Sequence, residues 1–414
     1  MEQYDCIVVG GGITGLAQTV ALAVAGFDVA CVDPAPSGAG ISTATLDGRT
    51  TALLEGSVTA LDRLDVWSRC RESAAALSVM RIVDEAGRPA GAPRNARFDA
   101  AEVGDAPFGY NVPNAALRRA LQSRMAELPT ARHFPETTAE EFDVASKNAV
   151  VVLSDGRTLT ASLIVGADGK RSATREAANI KARQWEYGQT AMAFSIAHTR
   201  PHENVSVEFH RTVGPFVLVP LPGNMSSVVW VDRTGAARDF LSMPEPDFRR
   251  AVQRRTRGLL GHVTDVGPRG SYSAVSLIAD NYVAPRLALI GEAAHATPPI
   301  GAQGLNLGLT DVAALAEVLA DARGQGLEIG APDVLARYER WRRPDIVARI
   351  IAIDSLNRAV KSRLRPVQAL RHAALSVVDR VDPLKARLMR QGMTPVGTVP
   401  ALMRRSADVP GPAG

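Results

Sequence analysis

The stretch that decides the fold lies near the start of the chain, where Asp5–Gly15 reads DCIVVGGGITG. Four apolar residues precede a G-x-G-x-x-G motif, Leu16–Ala25 continues as a mostly apolar segment, and a second apolar run, Asp28–Val32, ends at Asp33. This order predicts a strand, a tight glycine turn, a helix and a second strand. The glycines let the backbone approach a pyrophosphate at the helix N-terminus, and the acid accepts hydrogen bonds from ribose hydroxyls. The unit therefore predicts a dinucleotide site, for either NAD or FAD.

The composition is that of an ordinary packed protein. The chain has 414 residues, 46% apolar and 22% charged, which allows two to three domains and excludes collagen-like, coiled-coil and wholly disordered classes. Its three cysteines form no C-x-x-C pair, so neither a disulfide framework nor a thiolate metal site is expected. No secretory signal is expected, because no basic segment precedes the first apolar run, and no membrane span is expected, because polar residues and glycine interrupt Leu16–Val32. We therefore expect a cytoplasmic protein.

Two later segments distinguish between the dinucleotides. Val165–Ser172, reading VGADGKRS, and Leu289–His295, reading LIGEAAH, each end an apolar strand with glycine and an acid. The second continues through Ala296–Gly308, reading ATPPIGAQGLNLG, into a predicted helix. An acid at a strand end can bind a polyol hydroxyl, and the helix N-terminus after the Pro-Gly turn can stabilise negative charge on a reduced ring system. These features favour FAD over NAD.

Together with Asp47–Leu53, reading DGRTTAL, these segments resemble the single-component FAD-dependent aromatic hydroxylases, the p-hydroxybenzoate hydroxylase-like group. Over nearly the whole chain the sequence looks most like the ubiquinone-biosynthesis hydroxylases within that group. This subgroup is suggested by Phe108–Asn111, Gly214–Pro222, Tyr338–Arg343 and Asp354–Leu356. The resemblance implies an α/β fold with a Rossmann-like FAD-binding domain, an inserted antiparallel-sheet substrate domain and a C-terminal helical region.

Changes in the sequence pattern set the expected domain boundaries. Alternating apolar and polar residues, interrupted by Pro and Gly, predict antiparallel strands in 78–104 and 190–267. The expected division is a discontinuous FAD-binding domain at 1–77, 105–189 and 268–330, a substrate domain at 78–104 and 190–267, C-terminal helices at 331–391 and a mobile tail at 392–414.

The resemblance also implies which residues bind FAD. The glycines of the first turn would hold the pyrophosphate, Asp33 the adenosine ribose, and Glu292, where the family usually has Asp, the ribitol chain. Arg49 and Arg118 would lie near the cofactor, although each could instead be a surface arginine. Asp168–Gly169 belongs to a motif linked to both FAD and the nicotinamide donor. The full expected set is Gly10, Gly12, Ile13, Thr14, Gly15, Asp33, Arg49, Arg118, Asp168, Gly169, Gly291, Glu292, Pro299, Gly301, Gly304, Leu305 and Asn306.

No catalytic residue and no metal site stand out from the sequence. Gly304–Asn306 would face the flavin ring, but the chain contains no G-x-S-x-G or H-E-x-x-H motif. We interpret His295 as a packed or hydrogen-bonded histidine rather than a general base. His198 and His202 are separated by the helix breaker Pro201, so zinc is not expected. Because FAD supplies the difficult chemistry, the protein need only bind, orient and exclude water.

The reaction implied by the resemblance is hydroxylation of a phenolic ring in a prenylated ubiquinone precursor, with NAD(P)H and O2 and through a flavin hydroperoxide. Two other functions remain open. One is a flavin-dependent reductase or dehydrogenase of a prenylated compound, and the other is a flavoprotein scaffold in a membrane-associated biosynthetic assembly. Oxygen uptake coupled to a hydroxylated product separates the first function from both alternatives. No nucleic-acid partner is expected.

Basic residues and an apolar stripe mark the C-terminal part. Residues 332–414 contain 16 Lys and Arg against 7 Asp and Glu, although the whole chain has a formal charge of only +4. Apolar residues recur every three or four positions from Ile350 to Leu388, which predicts amphipathic helices. This stripe either packs on the FAD-binding domain or attaches the protein peripherally to the inner membrane or to a biosynthetic complex.

Overall fold

The computed structural model describes residues 1–36, 48–85, 94–299, 301–362 and 397–404, together with short runs and single positions between 364 and 389. The strands of this part are β1 (Glu2–Val9), β2 (Val29–Val32), β3 (Thr50–Leu54), β4 (Ala75–Ala76), β5 (Val79–Asp84), β6 (Arg94–Asp99), β7 (Gly109–Pro113), β8 (Ala131–Phe134), β9 (Ala139–Asp143), β10 (Ala149–Leu153), β11 (Thr158–Gly166), β12 (Ala182–His198), β13 (Val205–His210), β14 (Phe216–Leu221), β15 (Met225–Arg233), β16 (Val263–Val266), β17 (Gly270–Ala279), β18 (Val283–Ala284), β19 (Leu287–Leu289) and β20 (His295–Ala296). Its α-helices are α1 (Ile13–Val24), α2 (Glu55–Arg63), α3 (Asn114–Ala126), α4 (Ala173–Ala177), α5 (Thr234–Ser242), α6 (Glu245–Thr256), α7 (Gln303–Gly324) and α8 (Pro332–Lys361).

The first sheet contains the predicted nucleotide-binding unit. Its strand order is β18-β19-β11-β1-β2-β8, and β1 runs parallel to both neighbours, with Val8 opposite Val165 on one side and Cys31 on the other. Cys6–Val9 is buried, as expected for a central parallel strand that is covered on both faces. Strands β10 and β9 extend this sheet antiparallel from β11. The predicted order of strand, turn, helix and strand is confirmed.

The second sheet forms the other half of the molecule. Its order is β20-β17-β12-β15-β14-β13-β5-β6, with β16 beside β12, and all pairs are antiparallel except β13 with β5. Helices α5 and α6 belong to the core on one face, where Phe194, Phe216, Trp230 and Phe248 pack together. The two segments assigned to a substrate domain, 78–104 and 190–267, therefore contribute strands to one sheet.

One expected boundary needs correction. The sequence-based division placed 268–330 in the FAD-binding domain, but β17 pairs with β12 and so lies in the second sheet. Strand β20, within the segment expected near the flavin, pairs with β17 as well. The physical reason is that β12, at 17 residues, crosses the boundary drawn at 189, and β17 pairs with it on both sides of that boundary. The second sheet consequently reaches the loop expected to face the flavin.

The C-terminal stripe is only partly core. Helix α8 is continuous over 30 residues although Pro344 lies inside it. Ile350 and Val360 are buried in its packed face, whereas Leu364 and Leu370, which follow the helix, are 67% and 72% exposed. The apolar stripe therefore packs on the protein at its start and leaves large apolar side chains in solvent further along.

Residues 397–404 lie in the segment expected to be a mobile tail, and for them that expectation is wrong. The backbone N–H of Ala401 donates to Glu317 Oε2 at 2.6 Å, and Trp341 Nε1 donates to a carbonyl of this segment at 3.0 Å. Met403 is 5% exposed and joins the main core. Burial of this side chain, together with the backbone contacts, holds the segment in place. The rest of the tail lies outside the described residues.

Within the described part of the chain, no helix is both long and apolar enough to cross a membrane. The same residues contain no group of three or more His, Cys, Asp or Glu side chains placed to hold a metal ion. Cys6, Cys31 and Cys70 are buried free thiols. Burial raises the pKa of Cys70 to about 11, which keeps this thiol protonated at neutral pH.

Candidate FAD site

The glycine turn after β1 leaves an open helix N-terminus. Gly10 has φ +106°, and a Cβ there would clash with the Ala167 carbonyl. A Cβ at Gly15 would clash with the Gly10 carbonyl, so this glycine lets α1 pack against the strand end. Gly12 is the N-cap of α1, and the first turn has no acid; among the described residues there is no side-chain cap and no atom within 4 Å of its Cβ position. The first N–H groups of α1 therefore face space that suits an anion.

Asp33 lies directly beside this turn. Its Oδ2 would clash with a Cβ at Gly11, and its Oδ1 accepts a hydrogen bond from the Ala35 N–H at 3.2 Å. Arg118 Nη2 donates to Asp33 Oδ2 at 2.6 Å, and the two side chains are 22% and 8% exposed. Arg118 is thus not a free surface arginine; it orients Asp33, the residue predicted to bind the ribose.

Asp168 and Gly169 lie at the end of β11, on the far side of the glycine turn. Asp168 Oδ1 accepts from Thr174 Oγ1 at 2.7 Å, and Oδ2 accepts from the Thr174 N–H at 2.9 Å. Gly169 has φ +80°, a backbone conformation that glycine adopts without strain. The acid therefore ties the turn after β11 to the start of α4.

Arg175 joins this turn to the one that follows β19. It is 7% exposed, and its Nη2 donates to the Lys170 carbonyl at 2.8 Å while Nη1 donates to the Ala293 carbonyl at 2.9 Å. Lys170 Nζ lies 3.4 Å from Glu292 Oε1, and the Glu292 side chain is 59% exposed. Glu292, the residue predicted to bind the ribitol chain, is thus accessible to a ligand and forms an ion pair with Lys170.

Three elements meet around Thr14 in the first turn of α1. Gly291 has φ +56°, and a Cβ there would lie 3.1 Å from Thr14 Cγ2. A Cβ at Gly308 in α7 would lie 3.0 Å from Thr14 Oγ1. The first predicted segment therefore lies against both ends of the third, while Ala167 of the second segment lies against Gly10.

The start of α7 is a second open helix N-terminus. Its N-cap, Ala302, has φ +53° and no side-chain cap, and the first turn carries no acid. Of the part of the chain that the structure describes, only Thr297 Oγ1 lies near the Cβ position of Gly304, at 3.8 Å. That hydroxyl is buried without a partner among the described residues. Pro299 and Gly301 precede the helix, and Ile300 lies outside the described residues.

Asn306 fixes this helix start to the neighbouring elements. Its Oδ1 accepts from the Leu54 N–H at 2.9 Å and from Ser57 Oγ at 2.7 Å. Its Nδ2 donates to the carbonyls of Ala52 at 2.8 Å and Ala302 at 2.7 Å. The amide is fully used within the protein, so any ring placed here would meet the backbone at 304–305 rather than the Asn306 side chain.

Arg49 lies where the two halves of the molecule meet. Its side chain is exposed, and its carbonyl accepts from the Asn114 N–H at 3.1 Å just before β3. At the preceding Gly48, a Cβ would lie 2.8 Å from the Pro268 carbonyl oxygen and 3.1 Å from Phe194 Cα. Asp47, the first residue of the DGRTTAL segment that contains Arg49, lies outside the described residues.

His295 is buried, 2% exposed, with its Nε2 2.6 Å from Asp311 Oδ2. Its interpretation as a hydrogen-bonded rather than catalytic histidine fits this geometry. Burial alone would raise the pKa of Asp311, but His295 and Arg342 hold that pKa below its ordinary value. Asp311 and Arg342 were not predicted, since no local pattern connects residues so far apart in sequence.

The residues present fit an extended dinucleotide. The FAD cradle, defined here as Gly10–Gly15, Gly291–Glu292 and Gly301–Gly304, presents two uncapped helix N-termini. It also offers empty space beside its glycines and a buried hydroxyl, Thr297 Oγ1, with no partner in the described residues. Both helix dipoles favour negative charge at their open ends. An anion at one end and an electron-accepting ring at the other match this arrangement.

Comparisons with known proteins agree with this fit. A sequence model of the family described as FAD binding domain matches residues 3–351. The chain is 38% identical over 408 residues to ubiquinone hydroxylase UbiL of Rhodospirillum rubrum, covering 98% of this chain and 93% of that one. It is 29% identical to 3-demethoxyubiquinol 3-hydroxylase of Escherichia coli, covering 95% of this chain and 99% of that one. The crystal structure of p-nitrophenol 4-monooxygenase PnpA from Pseudomonas putida matches with a TM-score of 0.79 at 21% identity, over 96% of this chain and 100% of that one.

Fold and site together define a class of flavoprotein in which FAD binds a Rossmann-like sheet beside a second, mostly antiparallel sheet. The chain belongs to the FAD-binding-domain family of FAD-dependent monooxygenases, together with the ubiquinone hydroxylases that resemble it. The predicted fold class, family and FAD cofactor are confirmed.

Proposed function

We propose that this protein hydroxylates the phenolic ring of a prenylated ubiquinone precursor, with NAD(P)H as reductant and O2 as the source of the inserted oxygen atom. The observation that carries the proposal is the meeting of α1, the Gly291 turn and α7 around Thr14, which forms one continuous cradle. The likeness to a ubiquinone hydroxylase over 98% of the chain supports the same class of reaction. When bound, FAD supplies the redox chemistry, and the chain binds, orients and excludes water.

The adenine half of the cofactor is assigned to the first sheet. The N–H groups at the start of α1, exposed by Gly12, hold the pyrophosphate. Asp33 accepts hydrogen bonds from the ribose hydroxyls, and its ion pair with Arg118 holds the carboxylate in place. Arg49, at the junction of the two halves of the molecule, is assigned to contact the phosphates or the isoalloxazine ring of FAD.

The flavin half is assigned to the loop before α7. Glu292 binds a ribitol hydroxyl, and its longer side chain replaces the shorter acid usual at this position. The open N-terminus of α7 stabilises negative charge on the reduced ring, because no side chain in the described residues caps its first N–H groups. Gly304 leaves the space that such a ring needs.

The substrate surface is assigned to the face of the second sheet opposite to α5 and α6. Phe194 and Trp230 lie in the core under those helices, so their neighbours Ala193 and Val229, which pair with each other, lie on the opposite face. This face is turned towards the first domain, since Ser227, which lies two residues from Val229 on the same face, accepts a hydrogen bond from Thr50 Oγ1 at 2.8 Å. Small side chains there suit a flat aromatic ring.

We also assign a peripheral contact to the C-terminal part. Leu364 and Leu370 expose most of their apolar surface, and the segment from residue 332 onwards carries 16 Lys and Arg against 7 Asp and Glu. A basic surface with exposed apolar side chains suits an anionic membrane, such as the inner membrane of a bacterium. An apolar prenyl substrate would then be within reach.

The test is product analysis with the full chain. The purified protein is denatured to identify its released cofactor, and the holoprotein is then supplied with NADH or NADPH and candidate prenylphenols under oxygen-18. We expect non-covalent FAD, substrate-dependent oxygen uptake, and one labelled oxygen atom in a hydroxylated product. Reduction of the substrate without oxygen incorporation would instead support the reductase alternative. Absence of any turnover with bound FAD would support the scaffold alternative.

A further inference from the structure

A chain of buried charged side chains starts at one end of the flavin-facing loop, which we define as residues 291–303. Asp311 on α7 is 0% exposed. Its Oδ2 accepts from the Gly291 N–H at 3.0 Å and from His295 Nε2 at 2.6 Å. Its Oδ1 accepts from Arg342 Nε on α8 at 2.8 Å. One carboxylate therefore ties the beginning of the loop to the C-terminal helix.

The same chain continues along α8 to the other end of the loop. Arg342 Nη1 donates to Asp345 Oδ2 at 2.9 Å, and Arg349 Nε donates to Asp345 Oδ1 at 3.0 Å. Arg349 Nη1 then donates to Gln303 Oε1 at 3.2 Å. Gln303 is the first residue of α7 and the last of the flavin-facing loop. Both ends of the loop are consequently anchored to α8.

Stability alone is a weak explanation for this arrangement. Arg342 and Asp345 are 1% and 4% exposed, and the desolvation of such buried ions offsets most of their mutual attraction. The chain does fix geometry, because both oxygens of Asp311 and of Asp345 accept hydrogen bonds. The pKa of Asp311 lies below its ordinary value, because His295 and Arg342 outweigh the effect of burial, so its acceptors persist at neutral pH.

The loop needs such fixing because its backbone is unusual at both ends. Gly291 has φ +56°, Gly301 has φ +64° and Ala302 has φ +53°. The left-handed conformation is unfavourable for alanine, so Ala302 keeps it only where surrounding contacts impose it. Glu292 directly follows the first of these positions, and the open N-terminus of α7 directly follows the last. A shift at either end would move a part of the FAD cradle.

We propose that Asp311, Asp345 and Arg349 are positioning residues for FAD, and that α8 sets the affinity of the cradle for the flavin half through them. This inference rests on FAD binding and not on the identity of the substrate. It makes the C-terminal helix part of the cofactor site although the helix contributes no residue to the cradle.

Arg349→Met, in the full chain, is the central test, with Arg358→Met as its matched control. Both arginines lie on α8, and each donates through Nε to an aspartate four residues before it, at 3.0 Å for Arg349 and 2.7 Å for Arg358. Of these two arginines, only Arg349 also reaches the flavin-facing loop, and its side chain is 14% exposed against 71% for Arg358, so its loss also costs stability. Apoproteins are titrated with FAD, and their thermal unfolding is recorded without FAD.

We expect Arg349→Met to weaken FAD binding about fivefold or more and to change the visible circular dichroism of bound FAD. Arg358→Met should leave both unchanged. Arg349→Met should also lower the unfolding temperature of the apoprotein, because buried Asp345 loses one partner, so Gln303→Met, which keeps both ion pairs, separates the loss of FAD affinity from the loss of stability. Gln303→Met should weaken FAD binding to a similar extent, and the double variant of Gln303 and Arg349 should be no worse than either single one. Asp311→Asn, which keeps the size of the side chain, should weaken binding further.

Equal FAD affinity and equal circular dichroism for Arg349→Met and Arg358→Met would overturn the proposal. So would a loss of apoprotein stability in Arg349→Met without any change in FAD affinity, because that is the signature of a structural role alone. None of these measurements uses substrate turnover. Failure of the hydroxylase function would therefore leave this result unaffected, and the reverse also holds.

Discussion

Two glycines of the first turn are required for different reasons. Gly12 has φ −65° and ψ 175°, which any residue can adopt, and its Cβ position is empty. At Gly15 a Cβ would clash with the Gly10 carbonyl, so the absence of a side chain there serves packing. Neither the backbone conformation nor packing within the described residues requires glycine at position 12, so a bound ligand explains the absence of a side chain there. The sequence motif alone does not separate these two roles.

Gly12→Leu should therefore fold and yet fail to bind FAD, because the leucine side chain would occupy the space of the pyrophosphate. We expect the apoprotein to lose about 1 kcal/mol or less of unfolding free energy, as for a poorer N-cap, and FAD titration to detect no binding. Gly15→Ala should instead destabilise the apoprotein by about 1–3 kcal/mol, because the methyl group overpacks the turn. A yellow Gly12→Leu protein would contradict this assignment.

Glu292 should tolerate Asp far better than Ala. Asp retains an acceptor for a ribitol hydroxyl, whereas Ala leaves that hydroxyl unpaired, a loss of roughly 1–3 kcal/mol of FAD binding free energy. The measurement is FAD titration of the two variants. Lys170→Met serves as control, since the exposed ion pair with Glu292 should contribute little by itself. If Glu292→Ala binds FAD as tightly as the unchanged protein, Glu292 does not belong to the site.

Among the elements, those with local signals could be predicted from the sequence. The β1-α1-β2 unit was predictable because an apolar run, a glycine turn and an acid follow one another within Asp5–Asp33. The pairing of β17 with β12 was not, since strand pairing over such a distance depends on which edge is free. The contact between Asp311 and Arg342 could not be predicted for the same reason, because Arg342 on α8 lies 31 residues further along the chain. Local periodicity indicates elements but not their long-range partners.

Removal of residues 397–414 should destabilise the FAD-binding domain. The truncation exposes the surface that Met403 covers and removes the hydrogen bonds to Glu317 and Trp341. Burial of a methionine side chain contributes about 1.5–3 kcal/mol, so we expect a loss of at least that size in chemical unfolding. Truncation after Arg404 is the control and should leave stability unchanged. Equal stability of both truncated chains would show that the segment only rests on the surface.

For the whole molecule, the C-terminal part is where charge and exposed apolar surface coincide. Leu364 and Leu370 project from the protein directly after α8, whereas Ile350 and Val360 on that helix are core. The two alternatives drawn from the sequence, packing on the body or contact with a membrane, thus apply to different parts of the same stripe. The packed part forms core, and the membrane contact stays a prediction for the exposed part.

The full chain should sediment with anionic vesicles at low salt and be released at high salt, because surface attraction is screened over roughly 8 Å at physiological ionic strength. Leu364→Ser combined with Leu370→Ser should reduce this binding, since the apolar contribution is lost. Val24→Ser combined with Met225→Ser, at two exposed positions elsewhere, is the matched control and should not. Full-chain protein that ignores anionic vesicles at low salt would rule out the membrane contact.

The anchoring of residues 397–404 also has a consequence for proteolysis of the chain between α8 and this segment. Lys361 Nζ at the end of α8 donates to the Tyr187 carbonyl at 3.0 Å, and Ala401 is bonded to Glu317. Contacts with the rest of the protein therefore flank the intervening chain on both sides, so we expect the two fragments to stay together after a single protease cut within it. The two fragments should elute together on gel filtration and separate only under denaturing electrophoresis.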